Sequence, residues 1–309
     1  MKRIVHIGIW WDKRRSPEEL TKDKARVQQI LSRIGMGSLF HPEQHYYDFH
    51  LEIGAKALKV LIDELQITPH LASSHIRIEH RYTQQELESA ELLLWHPSNQ
   101  AIEDDYYDFY AEGELHRDLY QRCLTCGART KQIRDLIVNK ALMRGKDVSW
   151  TYAFEVILSE RVGQLFQEHG LAGFELRSVH HYRKPYKGEP TLYQLVVTNV
   201  LPPMASPPTE FEEKWPHRNQ CEVCGRRSYF LKHTHYWGKI MYYEDTDVYY
   251  PHNVLERVED FNRSAEYFGE LRVSHPYIII TQRVYRLLRE HKVKNWVAKP
   301  IYLVDWHER

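Results

Sequence analysis

Net charge is the first thing this chain lacks. Lys plus Arg and Asp plus Glu both number 42 in 309 residues, so the broad basic footprint of a nucleic-acid-coating protein is missing and only a local patch could serve that purpose. Long apolar runs are missing too, since none approaches the roughly 18 residues of a membrane-spanning helix. The apolar stretch at residues 4–11 stops at Asp12, Lys13, Arg14 and Arg15 without a small-residue cleavage site, which predicts a cytoplasmic chain, neither exported nor held in a membrane. There is no Gly-x-x-x-x-Gly-Lys-Ser/Thr phosphate loop, no Gly-x-Ser-x-Gly elbow and no His-Glu-x-x-His pair. Gly35 and Gly37 begin a dinucleotide-like loop, but Phe40 stands where its third glycine belongs. Cysteine is scarce, with four in all, and that scarcity gives their spacing its weight.

Aromatic residues are abundant, with 21 Tyr and 8 Trp; such stiff, amphipathic rings suit half-buried strands first and recognition surfaces second. Residues 4–10 read as an opening strand. Ser16, Pro17, Glu18 and Glu19 then supply an N-cap, a proline at the first helical position and first-turn acids, and Leu20, Val27, Ile30, Leu31 and Ile34 continue an amphipathic helix. Ala55, Leu58, Leu61, Ile62 and Leu65 predict a second helix over 51–65, residues 77–82 a strand, and Thr83 to Glu86 a capping box opening a helix to about Leu94. Pro202, Pro203, Pro207, Pro208 and Pro216 crowd residues 201–220, marking a linker.

The cysteines stand in two Cys-x-x-Cys-Gly motifs, Cys123 with Cys126 and Cys221 with Cys224. A Cys-x-x-Cys turn presents two sulfurs on one side of a tight loop, enough for two corners of a tetrahedral metal. Gly127 and Gly225 can take positive φ and turn backbone N–H groups toward those sulfurs. Two such turns supply four soft ligands with none left over, so the four cysteines are expected to hold one structural zinc ion. The separation is far wider than the about 15–20 residues of a compact ribbon. Two sites completed by histidines such as His233 and His235, a redox pair and disulfides are the other readings of the same residues.

An internal repeat explains the separation. Residues 156–171 align with 278–293: Ser159 meets Thr281, and Arg161, Val162, Leu165, Glu168 and His169 meet Arg283, Val284, Leu287, Glu290 and His291. Each copy predicts an apolar strand, a Ser or Thr N-cap, a helix of about three turns and a returning strand, 173–179 or 295–304. A cysteine pair precedes each copy, and the second copy carries an insertion between Tyr229 and Tyr250. The expected fold is therefore α+β: a mixed region at 1–118, a first cysteine-plus-repeat copy at 119–200, the linker at 201–220 and a second copy at 221–309.

The paired motifs, joined to the strand, Ser159-Glu160-Arg161-Val162 helix start and Gly170-Leu171-Ala172-Gly173-Phe174 turn, resemble the bacterial double-CXXCG-motif family of immunity-like proteins over roughly residues 120–305. Cys123, Cys126, Cys221 and Cys224 match that family's cysteines. The resemblance implies a role in bacterial conflict, in which the chain binds and neutralises a cognate toxin without catalysis of its own.

Two further segments bear on partners. Residues 226–239 interleave Arg226, Arg227 and Lys232 with aromatics, as a nucleic-acid stacking platform does, or as a hairpin with solvated bases does. Residues 103–110 and 242–250 combine carboxylates with tyrosines, chemistry that suits a basic protein partner or an exposed loop. The expected function is a zinc-containing, non-enzymatic, protein-binding role; a nucleic-acid-binding ribbon and an enzyme with a spatial His/Asp cluster among the 19 His are the alternatives.

Overall fold

The computed structural model describes residues 2–11, 16–33, 46–52, 63–64, 71–98, 119–181, 189–206, 209, 220–229, 232–237, 240–269 and 274–305. The chain is mixed α+β, with strands in the majority. It divides into two compact units: residues 1–83 with 231–246, and residues 84–230 with 247–309. These units cut the chain elsewhere than the four expected segments. Residues 84–98 group with the first cysteine pair, and residues 232–237 and 240–246 with the N-terminal region.

The first unit is a five-stranded sheet with a helix. Strand β1 (Lys2–Trp11) pairs antiparallel with β2 (Tyr46–Glu52) and β3 (Leu71–Arg81). Strands β13 (Lys232–Trp237) and β14 (Ile240–Asp245) form an antiparallel pair, and β14 adds to β3 in parallel. Helix α1 (Pro17–Arg33) opens on a reciprocal cap: Glu19 N–H donates to Ser16 Oγ, and Ser16 N–H donates back to the Glu19 carboxylate. Its apolar stripe, Val27, Ile30 and Leu31, is fully buried. The helix expected over 51–65 begins too early, because Leu51 and Glu52 lie in β2; Asp63 and Glu64 are helical, and 53–62 lie outside the described residues.

The second unit holds two more five-stranded sheets. One comprises β7 (Leu136–Val138), β8 (Val148–Trp150), β9 (Val156–Ser159), β10 (Phe174–His181) and β11 (Leu192–Val197), in the order β7-β10-β11-β9-β8. The other comprises β4 (Leu92–Pro97), β15 (Val248–Pro251), β16 (Phe261–Arg263), β18 (Ile278–Thr281) and β19 (Trp296–Val304), in the order β15-β19-β4-β18-β16. Taken position by position, the orders carry the same directions: the first pair is parallel and the other three are antiparallel in both sheets. Two-stranded ribbons, β5 (Tyr120–Arg122) with β6 (Arg129–Gln132) and β12 (Ser228–Tyr229) with β17 (Tyr267–Phe268), complete it.

Helices α2 (Gln84–Ser89), α3 (Glu160–Glu168) and α4 (Gln282–Glu290) belong to this unit. Helix α2 stops short of Leu94, since Leu92, Leu93, Leu94 and Trp95 are all buried as the middle strand of a sheet; an unbroken apolar run suits a strand covered on both faces. Ser159 and Thr281 occupy the N-cap positions of α3 and α4, yet neither caps with its side chain. Their hydroxyls turn to Asp147 at 3.4 Å and Asp260 at 3.5 Å.

Those aspartates anchor a matched pair of ties. Asp147 holds the Arg161 guanidinium at 2.6 Å, and Arg161 donates onward to the His291 carbonyl at 3.1 Å. Asp260 holds Arg283 at 2.9 Å, and Arg283 donates to the His169 carbonyl at 2.6 Å. Each aspartate also accepts a loop N–H, from Lys294 at 2.8 Å and from Ala172 at 3.0 Å. Between the sheets one core runs continuously through Trp95, Phe166, Phe261, Val284, Leu288 and their neighbours.

The proline-rich stretch is packed at its start. Leu201, Met204, Ala205 and Thr209 are buried, and their N–H groups donate to Arg263, Glu266, Tyr249 and Ala205 respectively. Its expected role as a free linker therefore does not hold for 201–206. Prolines lack only the donor at their own positions, so neighbouring N–H groups can still be used.

Candidate metal centre

Each cysteine pair lies on a loop of identical hydrogen bonding. Cys123 N–H donates to the Ala128 carbonyl and Gly127 N–H to the Cys123 carbonyl, both at 2.8 Å; Cys221 N–H donates to Arg226 at 2.9 Å and Gly225 N–H to Cys221 at 2.8 Å. Gly127 and Gly225 have φ of 72° and 68°, the left-handed region where a side chain would strain the backbone. The residue before each first cysteine straps its loop shut: Arg122 reaches the Gly127 carbonyl at 3.0 Å and Gln220 the Gly225 carbonyl at 3.2 Å.

The two loops face each other sulfur to sulfur. Cys123 Sγ lies 3.8 Å from Cys221 Sγ, and Cys126 Sγ 3.6 Å from Cys224 Sγ. All four ligand atoms lie within 4.8 Å of one another, and the four can hold a metal ion. The first sulfur of each loop is buried, while Cys126 is half-buried and Cys224 exposed. Cys123 is held down to about 6, chiefly by the Cys126 backbone N–H and then by that of Thr125. Cys221 is lowered the same way, by the N–H groups of Cys224 and Val223. Burial pushes Cys126 up to about 12, against the N–H of Ala128.

The gathering of all four thiols departs from the picture of two separate sites completed by histidine. No other group of three or more His, Cys, Asp or Glu capable of holding a metal occurs among the described residues. The acidic aromatic segment at 103–110 lies outside those residues. The segment at 242–250 is strand rather than loop: it ends β14 and forms β15, with Asp245, Val248 and Tyr250 buried. In the basic segment, Arg226 stacks over the Tyr267 ring at 3.9 Å and Arg227 bonds the Tyr229 hydroxyl at 3.4 Å. No helix among the described residues is long and apolar enough to cross a membrane.

Sequence reasoning missed Asp147 and Asp260, which fix the helix starts. Their distances to Ser159 and Thr281 differ between the halves, which hides them from a simple overlay. No protein-family model matches the chain, and a search of curated proteins finds no match either.

Proposed function

We propose that the four cysteines bind one structural zinc ion, and that the chain is a non-enzymatic protein-binding protein of the immunity type, neutralising a toxin by holding it. The observation that carries the metal reading is the sulfur spacing. At a zinc–sulfur distance of about 2.3 Å the edge of a tetrahedron is about 3.8 Å, and the two loop-to-loop sulfur distances are 3.8 and 3.6 Å. Zinc with four thiolates has no open position for substrate, so it fixes structure rather than catalysing.

The same unit supports a duplication. Matching sheet order, matching loops and matching aspartate–arginine ties are expected of one ancestral module copied once. In that reading β4 and β11 are each module's first strand, and each is lodged in the other's sheet. Zinc joins the two modules at their loops.

Binding rather than chemistry is supported by the loop tips. Leu124 and Val223, the apolar residues inside the two Cys-x-x-Cys turns, are 103% and 71% exposed. Large apolar side chains on rigid, metal-pinned turns are suited to insertion into a partner's surface. Elemental analysis tests the metal: one zinc per chain is expected, and two, or none in protein purified without chelator, overturns the shared site. Co-purification with products of adjacent genes tests the partner. A toxic neighbour should be retained and its toxicity relieved, both weakened by Leu124→Asp and Val223→Asp; failure to retain or relieve any neighbour removes the immunity reading. Stacking of Arg226 on Tyr267 favours nucleic-acid binding as the second reading, which predicts gel shifts that salt abolishes and Arg226→Ala weakens.

A further inference from the structure

The repeat places one histidine in each half at the same point, the residue that ends α3 and the residue that ends α4. His169 N–H donates to the Leu165 carbonyl at 3.2 Å and His291 N–H to Leu287 at 3.0 Å, so both are helix C-caps. Their rings meet with centroids 5.5 Å apart and planes at 71°, and both residues are exposed. Neither belongs to the cysteine centre.

We propose that His169 and His291 form a second metal site, which takes a borderline divalent cation such as Ni2+ or Zn2+ between the two imidazoles, with water completing its shell. Three observations lead there. The first is distance. With metal–nitrogen bonds of about 2.1 Å, each ring centre lies about 3.2 Å from the ion, and two rings at the tetrahedral angle have centroids about 5.2 Å apart. The observed centroid separation of 5.5 Å is within a few tenths of an ångström of that value, so rotation of each ring about its χ angles, with little backbone movement, is what such binding would need.

The second is the field. Two helix C-termini converge on the pair, each carrying the negative end of its dipole. Arg161 and Arg283, which donate to the histidine carbonyls, are each paired with an aspartate, Asp147 and Asp260, which leaves the exposed Lys292 after His291 as the adjoining positive charge in the chain. The carboxylates of Glu168 and Glu290, one residue before each histidine, are exposed as well. The third is rigidity: the backbone of each histidine is fixed from the opposite half through its carbonyl, by Arg283 and Arg161. Neutral imidazole on a fixed backbone suits zinc and nickel better than calcium or magnesium, which prefer oxygen.

The test is a Ni2+ titration of the full chain by calorimetry, alongside His169→Ala, His291→Ala and the double variant. Nickel taken up by the thiols is common to all four proteins and carries thiolate charge-transfer absorption that imidazole-bound nickel lacks. The unaltered chain should bind one more nickel than any variant. Either single change should weaken that event by roughly tenfold or more, and the double variant should be no weaker than the singles. Retention of the event in either single variant, or independent, additive losses, overturns the proposal. A readout that needs no variant guards against misfolding: of the 19 His, the imidazole resonances of His169 and His291 should broaden first as Ni2+ is added. Earlier broadening of other imidazoles also overturns it.

Discussion

In the first half of the second unit, Val138 ends β7 and packs with Leu136, Met143, Ala153, Ile157 and Val179, beside a buried Arg129 that donates to the Ala153 carbonyl. In the second half the matching strand position is Tyr250, as the parallel registers show: Leu136 faces Val179 in one sheet and Val248 faces Ile301 in the other. Where Ala153 stands two residues beyond Thr151, Glu266 stands two beyond Ser264; the Thr151 and Ser264 hydroxyls each accept a backbone N–H, from Glu155 four residues on and from Tyr277 thirteen residues on. Tyr250 Oη and Glu266 Oε2 are buried with no hydrogen-bond partner among the described residues. Burial pushes both groups upward, and the Glu266 charge raises the Tyr250 phenol further. The halves therefore share backbone, loops and ties while differing in what fills the space behind them.

The sharpest way to break the comparison is at the proposed zinc site. Binding by structural zinc sites is on the order of 10–16 kcal/mol, comparable with the whole stability of a domain at about 5–15 kcal/mol. Cys221→Ser should therefore abolish stoichiometric zinc and unfold the junction of the halves, seen as loss of zinc by elemental analysis and a collapsed Tm. A smaller change with unaltered zinc would show that the sheets stand without the tie.

Next come the exchanged strands. Trp95 in β4 and Leu195 in β11 are both almost fully buried and face Ile278 and Val156 at matching registers. Trp95→Ala should cost about 3–5 kcal/mol and Leu195→Ala about 2–5 kcal/mol, measured by denaturant unfolding in one cooperative transition. Two separate transitions would mean that the halves unfold independently.

Glu266 separates the halves by pH. Its folded-state pKa is raised by burial, so its contribution is fully present below the unfolded value near 4.3 and is lost as pH rises through the folded value. Glu266→Gln keeps an acceptor for the Met204 N–H, which Glu266 Oε1 binds at 2.7 Å, and removes the ionisation. The variant should gain stability relative to the parent as pH rises from about 4.3 toward neutrality, read from Tm against pH; parallel curves would place the cost elsewhere. The smallest effects belong to the paired arginines. Arg161 and Arg283 are half-exposed, so each Ala substitution should cost about 0.5–1 kcal/mol, and by nearly equal amounts in a double-mutant comparison.

Local patterns were legible where one segment carried the whole signal. The Ser16–Glu19 cap follows from capping chemistry, and β3 ending at Arg81 and the β9-α3-β10 and β18-α4-β19 arrangements follow from hydrophobic period. The gathering of the four cysteines was legible from their count and their paired Cys-x-x-Cys-Gly spacing. Illegible were the features decided between distant segments. Leu92 to Trp95 read as the tail of a helix because nothing nearby announces strands nearly two hundred residues later. Residues 201–206 read as linker because prolines hide the N–H groups beside them that do pair. The Ser159 and Thr281 hydroxyls had the right place for caps, but aspartates reached them first.

The placement of β4 has a consequence for how the chain is made. Its partners β18 and β19 leave the ribosome roughly 180 residues later, a wait of about 10–40 s at ordinary elongation rates. For that interval Leu92, Leu93, Leu94 and Trp95 form an apolar segment with neither flanking strand available, the kind of exposed stretch that chaperones bind and aggregates nucleate on. A translational stall before residue 278 would prolong that exposure, so nascent chains arrested there should crosslink to ribosome-associated chaperones through this tetrapeptide, while completed chains should not.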